Sequence, residues 1–375
     1  MRSASIRGRW LGGFDAMALK CAVSHGALQV LGTGAALPGP PLTTDAVLAR
    51  VEAHLPPGAT ALARRLARRL AIDTRHLSRA LEAPIEAVRP ADSAPRLAAL
   101  AVTEALAGAR LGVDRLDFLI GHTATPHTLL PSNTAWTADE LAYGGPHLEL
   151  RQACTGFAAS VLVADGLLAA QNWTLAIVGS ETGSVFFDPR RIDDDPGQLV
   201  NLVQMGDGAG AIVLGRLLDD RGSRIELAYF GCDGLGRPPG LAMAEGGSGA
   251  PRVTAGVPHF SHRYGDIRSL GMELLRTSRT AAEAAGVDPA TVQWFVPHQA
   301  NGRMPDLCAE HLGLPVERVV CEASAVGNLG SAAMWVALDR LRRSGRLSAG
   351  DRVLMLGAEA TKYLYGGLLY VHGRT

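Results

Sequence analysis

LDFLIGHTATP (residues 116–126) and VQWFVPHQAN (292–301) are each typical of a buried strand that ends in a histidine-containing loop. In the first half, a helix, a strand, a long helix and a strand are predicted next, at 132–142, 147–153, 154–171 and 173–181. In the second half the same order returns, at 301–313, 317–323, 328–344 and 351–359. This repetition predicts a doubled α/β fold with mostly parallel, buried strands.

The two halves also keep nearly the same register. Cys154 follows Leu116 by 38 residues, and Asn328 follows Val292 by 36. Cys154, His298 and Asn328 therefore fall at strand-to-helix junctions, which is where open α/β sheets bind their ligands.

The rest of the chain is assigned around this repeat. We predict a first half at residues 27–215 and a second half at residues 216–375, preceded by a disordered N-terminal extension at residues 1–26. Two segments are expected to be loops. Residues 184–204 carry a charged tip, and residues 231–265 are rich in Gly and Pro and long enough to cover a site.

Composition narrows the range of functions. The 375 residues include 36 Lys and Arg against 36 Asp and Glu, so no net charge attracts nucleic acid or an acidic membrane. No apolar run approaches the ~20 residues that span a bilayer, and the N-terminus lacks a secretion-signal pattern. The five cysteines form an odd set without a CxxC pair, and no metal-ligand spacing occurs. These features predict a soluble, cytoplasmic protein without a metal site.

Cys154 lies in LRQACTGFAASV, between the end of a predicted strand and the start of a long helix. A thiol at that place faces the positive end of the helix dipole, which lowers its pKa and favours the nucleophilic thiolate. A lone cysteine is more often a small buried hydrophobic residue. Cys154 alone does not decide between the two interpretations.

His298 and Asn328 carry the same ambiguity. His298, in FVPHQANGRM, either donates a hydrogen bond to a developing oxyanion and handles a proton, or satisfies nearby backbone groups. Asn328, in AVGNLGSAAMW, is either a second donor to that oxygen or a helix cap between turn glycines. His122 and His127 occupy the equivalent loop of the first half, and we expect them to be structural or to line a cleft.

Taken together, Cys154, His298 and Asn328 supply one nucleophile and two hydrogen-bond donors at matching junctions. Papain-like hydrolases also use Cys, His and Asn, but they need another fold, and the usual surroundings of their cysteine are absent here. The glycine patterns at residues 31–39 and 206–210 are not followed by a helix, so no dinucleotide site is predicted.

Arginines provide two candidates for phosphate binding. Four of them, at positions 64–69, share one face of a predicted helix. Such a face is typical of a solvated surface, but it equally suits a phosphate-bearing carrier. Arg303, five residues after His298, is closer to the predicted cleft.

This pattern resembles the thiolase-fold condensing enzymes, and in particular the β-ketoacyl-acyl-carrier-protein synthase III family. The similarity covers roughly residues 27 to 370. It is carried by RRLAIDTRHL (68–77), ACTGF (153–157), MGDGAGAIVL (205–214), VPHQANGRM (296–304) and GNLGSAA (327–333). The resemblance implies a thiolase-like α/β fold whose two pseudo-symmetric halves form α-β-α-β-α layers.

The resemblance also implies a mechanism. Cys154 takes an acyl group from coenzyme A, and a malonyl unit on acyl carrier protein then loses carbon dioxide and attacks the acyl-cysteine. His298 and Asn328 stabilise the enolate oxygen, and the backbone N–H of Cys154 contributes to an oxyanion hole. Arg69 and Arg303 match positions that hold coenzyme A or the carrier. The coenzyme A thioester is a substrate, and no tightly bound cofactor is implied.

The remaining implications concern the substrate pocket and the assembly. Leu130 matches a position that reaches into the acyl tunnel of the partner subunit, and Phe187 is expected to line the substrate pocket. Because the family is usually homodimeric, the expected partners are acyl-coenzyme A, acyl carrier protein and a second copy of the chain.

Three departures from the family pattern are visible. Arg65 stands where a tryptophan stacks on adenine, Leu329 follows Asn328 where Thr is common, and GAEATKYLYGG (357–367) replaces a glycine-rich turn that supplies an oxyanion donor. They favour a specialised biosynthetic enzyme with a donor other than acetyl-coenzyme A. Two alternatives stay open: acyl transfer to O, N or S without decarboxylation, and a non-catalytic partner subunit, against which the presence of Cys154 argues.

Overall fold

The computed structural model describes residues 20–81, 92–192, 195, 197–219, 221–251, 258 and 260–374, without the side chains of residues 190 and 264–269. Within this part of the chain the strands are β1 (Cys21–Ser24), β2 (Leu28–Ala36), β3 (Leu42–Thr43), β4 (Thr74–Arg75), β5 (Phe118–His122), β6 (His147–Leu150), β7 (Leu175–Glu181), β8 (Gly208–Arg216), β9 (Arg224–Cys232), β10 (Leu241–Met243), β11 (Phe260–His262), β12 (Trp294–Pro297), β13 (Arg352–Glu359) and β14 (Leu364–Val371). The helices are α1 (Thr44–Val51), α2 (Ala59–Leu70), α3 (Ala94–Gly108), α4 (Asn133–Glu140), α5 (Gly156–Ala170), α6 (Gly197–Gln204), α7 (Tyr264–Ala284), α8 (Met304–Leu312), α9 (Ala323–Val326) and α10 (Ala333–Arg343).

The order of the strands in space repeats between the halves. The main sheet runs β12-β13-β14-β9-β2-β8-β7-β5-β6, with β1 beside β9. In each half the first strand along the chain (β2 or β9) lies beside the last (β8 or β14), and that last strand is antiparallel to both of its neighbours. The matching order confirms a doubled α/β fold with two pseudo-symmetric halves. The proposed division at residue 215 falls at the end of β8.

Successive side chains along a strand point to opposite faces of the sheet and so contact different helical layers. Val353 and Met355 of β13 pack in the same core cluster as α5 and α10, whereas Leu354 and Leu356 pack on the outside, against α7 and α8. Strand β7 does the same in the first half, with α3 on its outer side. Because α5 and α10 contact strands of both halves, they form a central helical layer, and the α-β-α-β-α order is confirmed.

Two sequence predictions differ from the structure. The segment 184–204, expected to be a loop, ends in α6, whose Leu199 and Val203 are buried in the cluster that contains α1 and α2. The strand expected at 317–323 is reduced to a single bridge between Val319 and Phe295. A 3₁₀ turn precedes it and α9 follows at once, so the chain is extended for too few residues to form a ladder.

The predicted N-terminal extension and the 231–265 segment both contain short strands. Of the predicted N-terminal extension, residues 1–19 lie outside the described residues, and β1 pairs with β9, so residues 21–24 belong to the sheet rather than to a disordered segment. Within the 231–265 segment, β10 and β11 pair with each other apart from the main sheet, and residues 252–257 and 259 lie outside the described residues. None of the described helices is long and apolar enough to cross a membrane.

Candidate active site

Cys154 lies between β6 and α5, as predicted. The residue as a whole is partly exposed, although its thiol is desolvated, and the following Thr155 is completely buried. Helix α5 begins two residues after the cysteine, and Gly156 allows it to start there, because a Cβ at that position would lie 2.3 Å from the His122 ring. The thiol is therefore fixed at the N-terminal end of a helix buried between the two halves.

The electrostatic environment of Cys154 is the opposite of the one predicted. The pKa of its thiol is raised well above the ordinary value, first by burial and then by the negative charges of Glu359 and Glu181. The prediction that α5 lowers this pKa is wrong. Desolvation and two nearby carboxylates disfavour the thiolate, whereas a backbone N–H favours it.

Glu359, the last residue of β13, is hydrogen-bonded to the residue that follows Cys154. Its Oε2 accepts hydrogen bonds from the backbone N–H of Thr155 at 3.0 Å and from the Thr155 hydroxyl at 2.7 Å. Its Oε1 accepts from the hydroxyl of Thr361. The carboxylate is 2% exposed, and it occupies the place where the first turn of α5 presents a free N–H group.

Asn328 lies in a loop that is fixed by its own backbone. Its N–H donates to the carbonyl of Gln204 at 2.8 Å, and its carbonyl accepts from Gly206 at 3.1 Å. The side-chain Oδ1 accepts from the N–H of Gly330 at 3.0 Å. This bond orients the amide so that Nδ2 is left to donate to another group.

His298 directly follows β12, and its N–H donates to the carbonyl of Leu356 on β13 at 2.7 Å. Burial lowers the pKa of the imidazole to about 4, so the ring is neutral at pH 7. Its buried Nδ1 has no hydrogen-bond partner within the described residues. A neutral imidazole with an unused nitrogen suits a group that donates to, or accepts from, a substrate.

The loops that carry these three residues contact one another. The Ser331 hydroxyl, three residues after Asn328, lies 3.4 Å from the carbonyl oxygen of Gln152, two residues before Cys154, while its proton is donated to Glu181 at 2.8 Å. Gln204, which accepts from Asn328, donates through its side chain to the Ala300 carbonyl, two residues after His298, at 2.6 Å. The three predicted junctions therefore meet at one place in the molecule.

A second buried carboxylate, Glu181, supports the Asn328 loop. It ends β7, and its Oε2 accepts from the N–H of Ser331 at 3.0 Å and from the Ser331 hydroxyl at 2.8 Å, while the Thr125 hydroxyl donates to its Oε1. Gly330, with φ +50°, leaves room for it, since a Cβ there would lie 2.5 Å from the carboxylate. Sequence reasoning missed both glutamates, although GSE and GAE end equivalent strands of the two halves.

His122 has a structural position, as expected. Its Nε2 accepts from the indole N–H of Trp335 on α10 at 3.0 Å, which leaves the proton of the neutral ring on Nδ1, towards the backbone of Gln152 and Ala153. Burial lowers its pKa to about 4. His127 is exposed and packs edge-on against Trp136.

Arg69 and Arg303 lie on segments that contact each other. Arg69 is exposed in the last turn of α2, and the next residue, Leu70, accepts a hydrogen bond from the N–H of Gly302 at 2.9 Å. Arg303 follows immediately and pairs with Asp306 at 2.9 Å. The helix end therefore adjoins the loop that begins at His298.

Leu130 and Phe187 have different surroundings. Leu130 is 87% exposed, beside a cis bond to Pro131, and faces away from this chain's core. Phe187 is buried and lines a small cavity of about 10 Å³ with Met205 and other mainly apolar residues. That volume holds about one water molecule. Met205 pairs with the backbone of Asn328, so the cavity lies behind the Asn328 loop.

Comparisons with known proteins agree with this arrangement. Residues 148–234 match the model of 3-oxoacyl-[acyl-carrier-protein] synthase III, and residues 282–370 match the model of its C-terminal part. The chain is 34% identical over 268 residues to a β-ketoacyl-[acyl-carrier-protein] synthase III of Desulfitobacterium hafniense, covering 68% of this chain and 77% of that protein. It is 32% identical to a 3-oxopimeloyl-[acyl-carrier-protein] synthase of Rhodothermus marinus, covering 88% and 90%.

Among solved structures, the tetronic acid condensing enzyme AbyA1 is similar, with a TM-score of 0.78 and 25% identity over 92% of this chain and 99% of that one. The doubled sheet and the interlocked junctions define a condensing enzyme of the thiolase fold. Within that class, the chain belongs to the β-ketoacyl-[acyl-carrier-protein] synthase III family.

Proposed function

We propose that Cys154 carries an acyl group as a thioester and that His298 and Asn328 stabilise the enolate that attacks it. The donor is an acyl-coenzyme A and the extender is a malonyl-type thioester on acyl carrier protein, so the overall reaction is acyl transfer with decarboxylative carbon–carbon bond formation. The observation that carries the proposal is the contact among the three loops, through Ser331 beside Gln152 and through the hydrogen bond from Gln204 to Ala300.

The neutral state of His298 and the orientation of Asn328 support these roles. Decarboxylation of the malonyl unit breaks its bond to the carboxylate carbon, and the electron pair moves into an enolate. A neutral His298 carries one ring N–H, which donates a hydrogen bond to the enolate oxygen. Asn328, oriented by Gly330, donates to the same oxygen through Nδ2. Two aligned donors are an efficient means of stabilising that charge.

We also propose that Arg69 and Arg303 bind phosphate groups of coenzyme A or of acyl carrier protein. Both are exposed, and their segments contact each other beside the His298 loop. Arg303 would exchange its ion pair with Asp306 for the phosphate. Since that pair is solvent-exposed, breaking it costs little.

For the assembly, we propose a cytoplasmic homodimer in which Leu130 enters the partner subunit's acyl pocket. Leu129 and Leu130 are 64% and 87% exposed on one loop tip, which leaves two large apolar side chains in water in the single chain. All five cysteines, which lie within the described residues, have free thiols, as is usual in a reducing compartment.

For the pathway, we propose a specialised biosynthetic role with an acyl donor other than acetyl-coenzyme A. The segment that replaces the family's glycine-rich turn here contains the buried Glu359. The similarity to a tetronic acid condensing enzyme points in the same direction.

The test is to supply the enzyme with a panel of acyl-coenzyme A thioesters and malonyl-acyl carrier protein. We expect carbon dioxide and a 3-oxoacyl product in equal amounts, both dependent on the acyl donor. If the acyl group instead reaches an oxygen, nitrogen or sulfur acceptor without carbon dioxide release, the condensation proposal fails and the simple acyltransferase takes its place.

A further inference from the structure

Gln204 is the last residue of α6, and its backbone and side chain bind two different loops of the candidate site. Its carbonyl accepts the N–H of Asn328 at 2.8 Å, and its side-chain Nε2 donates to the carbonyl of Ala300 at 2.6 Å. Ala300 in turn donates its N–H to the carbonyl of His298 at 3.0 Å. One residue therefore links the segments that carry both of the proposed enolate donors.

The helix that ends at Gln204 provides a packed base for these bonds. Leu199 and Val203 of α6 are buried in a cluster that includes residues of α1 and α2. Just after α6, the N–H of Gly206 donates to the Asn328 carbonyl at 3.1 Å, so residues 204–206 hold the Asn328 backbone through both its N–H and its carbonyl. The half-buried Gln204 side chain extends this support from α6 to the His298 loop.

The spacing between the two donors matters because they lie on separate segments of the chain. A pair of donors stabilises one enolate oxygen only while both point at the same place. A misplacement of about 1 Å can lower a rate by about 100-fold, even when its cause is far from the reacting atoms. A hydrogen bond that fixes the distance between the two segments therefore affects the reaction without contacting the substrate.

We propose that Gln204 is a positioning residue that sets the spacing between His298 and Asn328 for the decarboxylative step. Its Nε2 is engaged by the Ala300 carbonyl, so it acts through the loop rather than on the substrate. The inference deepens the proposed function and rests on the two donors sharing one enolate oxygen. Since acyl loading on Cys154 does not need those donors, Gln204 should affect condensation alone.

The test replaces Gln204 by methionine, which has nearly the same length but no N–H to donate. We expect kcat for condensation with malonyl-acyl carrier protein to fall about tenfold, because the two donors are no longer held in register. The KM for malonyl-acyl carrier protein and the rate of acyl loading should stay within about twofold of the wild type. Carbon dioxide release follows condensation, and intact-mass measurement follows loading.

Gln198→Met is the matched control. Gln198 lies on the same helix, and its Nε2 donates to the carbonyl of Phe260 on β11 at 2.7 Å, so the variant loses the same kind of bond outside the three loops. It should lower the urea midpoint of unfolding at least as much as Gln204→Met does. Its kcat for condensation should nevertheless stay within about twofold of the wild type.

A second measurement separates positioning from a general loss of order. In the Asn328→Ala background only one donor is left, so Gln204→Met should lower the remaining condensation rate by about twofold or less. An equal fall in both backgrounds would overturn the proposal. So would an unchanged kcat in folded Gln204→Met, or a similar fall in Gln198→Met.

If Gln204→Met does not fold, Gln204→Glu decides. It keeps the length and polarity of the side chain, but an ionised carboxylate has no proton to donate to the Ala300 carbonyl. The same fall in kcat is expected, and normal condensation contradicts the proposal. A wild type that releases no carbon dioxide would count against the proposed function instead, whereas an unaffected variant of a condensing wild type overturns this inference alone.

Discussion

The two ends of the central helical layer are built alike but carry different chemistry. At the start of α5, Glu359 accepts the N–H and hydroxyl of Thr155, and at the start of α10, Glu181 accepts the N–H and hydroxyl of Ser331. A threonine hydroxyl donates to the other oxygen of each carboxylate, from Thr361 to Glu359 and from Thr125 to Glu181. Each glutamate comes from the half opposite the helix it holds.

The difference lies in what each support holds in place. Thr155 directly follows the thiol of Cys154, whereas Ser331 is three residues after the amide of Asn328. Glu359 therefore holds the segment that carries a thiol, and Glu181 holds the segment that carries an uncharged amide, although both carboxylates raise the pKa of that thiol. The two halves therefore share one supporting arrangement, and the residue beside each carboxylate's partner determines the chemistry.

The largest effect is expected on the rate of condensation, as distinct from the rate of acyl loading. Asn328→Ala and His298→Ala should each lower the rate of condensation about 100- to 1,000-fold, because each removes a donor to the developing oxyanion. Acyl loading on Cys154 should stay within about threefold of the wild type. Carbon dioxide release and intact-mass measurement follow the two steps separately. Normal condensation by either variant would remove the role assigned to that residue.

The next effect tests whether the two supports are equivalent. Glu359→Ala and Glu181→Ala should each lower the free energy of unfolding by about 3 kcal/mol, since each leaves a buried N–H and two hydroxyl groups without their acceptor. Urea denaturation measures this. The exposed Glu140→Ala is the control, with a change within about 0.5 kcal/mol. A large inequality between the two buried glutamates would break the structural equivalence.

The smallest effect isolates single hydroxyl groups. Thr155→Val and Ser331→Ala each remove one hydrogen bond to a buried carboxylate and leave the backbone N–H bond intact. Each should lower the free energy of unfolding by about 1 kcal/mol. The same denaturation experiment applies. If either variant is as unstable as the corresponding glutamate-to-alanine variant, the hydroxyl rather than the backbone dominates that support.

Much of the fold could be predicted from the sequence because its strands are apolar and its halves repeat. The junction positions of Cys154, His298 and Asn328 follow from local pattern alone, and the structure has them after β6, after β12 and before α10. The strand expected at 317–323 was wrong because a 3₁₀ turn and α9 leave too few extended residues between them, so only one bridge to Phe295 forms.

The electrostatics of the site could not be predicted in the same way. Thr155 and Glu359 are 204 residues apart, and no local pattern pairs them. The available signal was a glutamate ending an otherwise apolar strand in both halves, since a buried carboxylate needs donors nearby. The position of Cys154 just before a helix was predicted correctly, but the carboxylates that raise the pKa of its thiol, Glu359 and Glu181, end strands elsewhere in the chain.

The central claim is that Cys154 accepts the acyl group. The most direct measurement is the intact mass of the protein after incubation with a panel of acyl-coenzyme A thioesters, followed by peptide mapping, for the wild type and for Cys154→Ser. We predict one acyl adduct, on the peptide that contains Cys154, and none in the variant, although its other four cysteines are intact. An adduct that persists in Cys154→Ser, or the absence of any adduct on the wild type, would contradict the account.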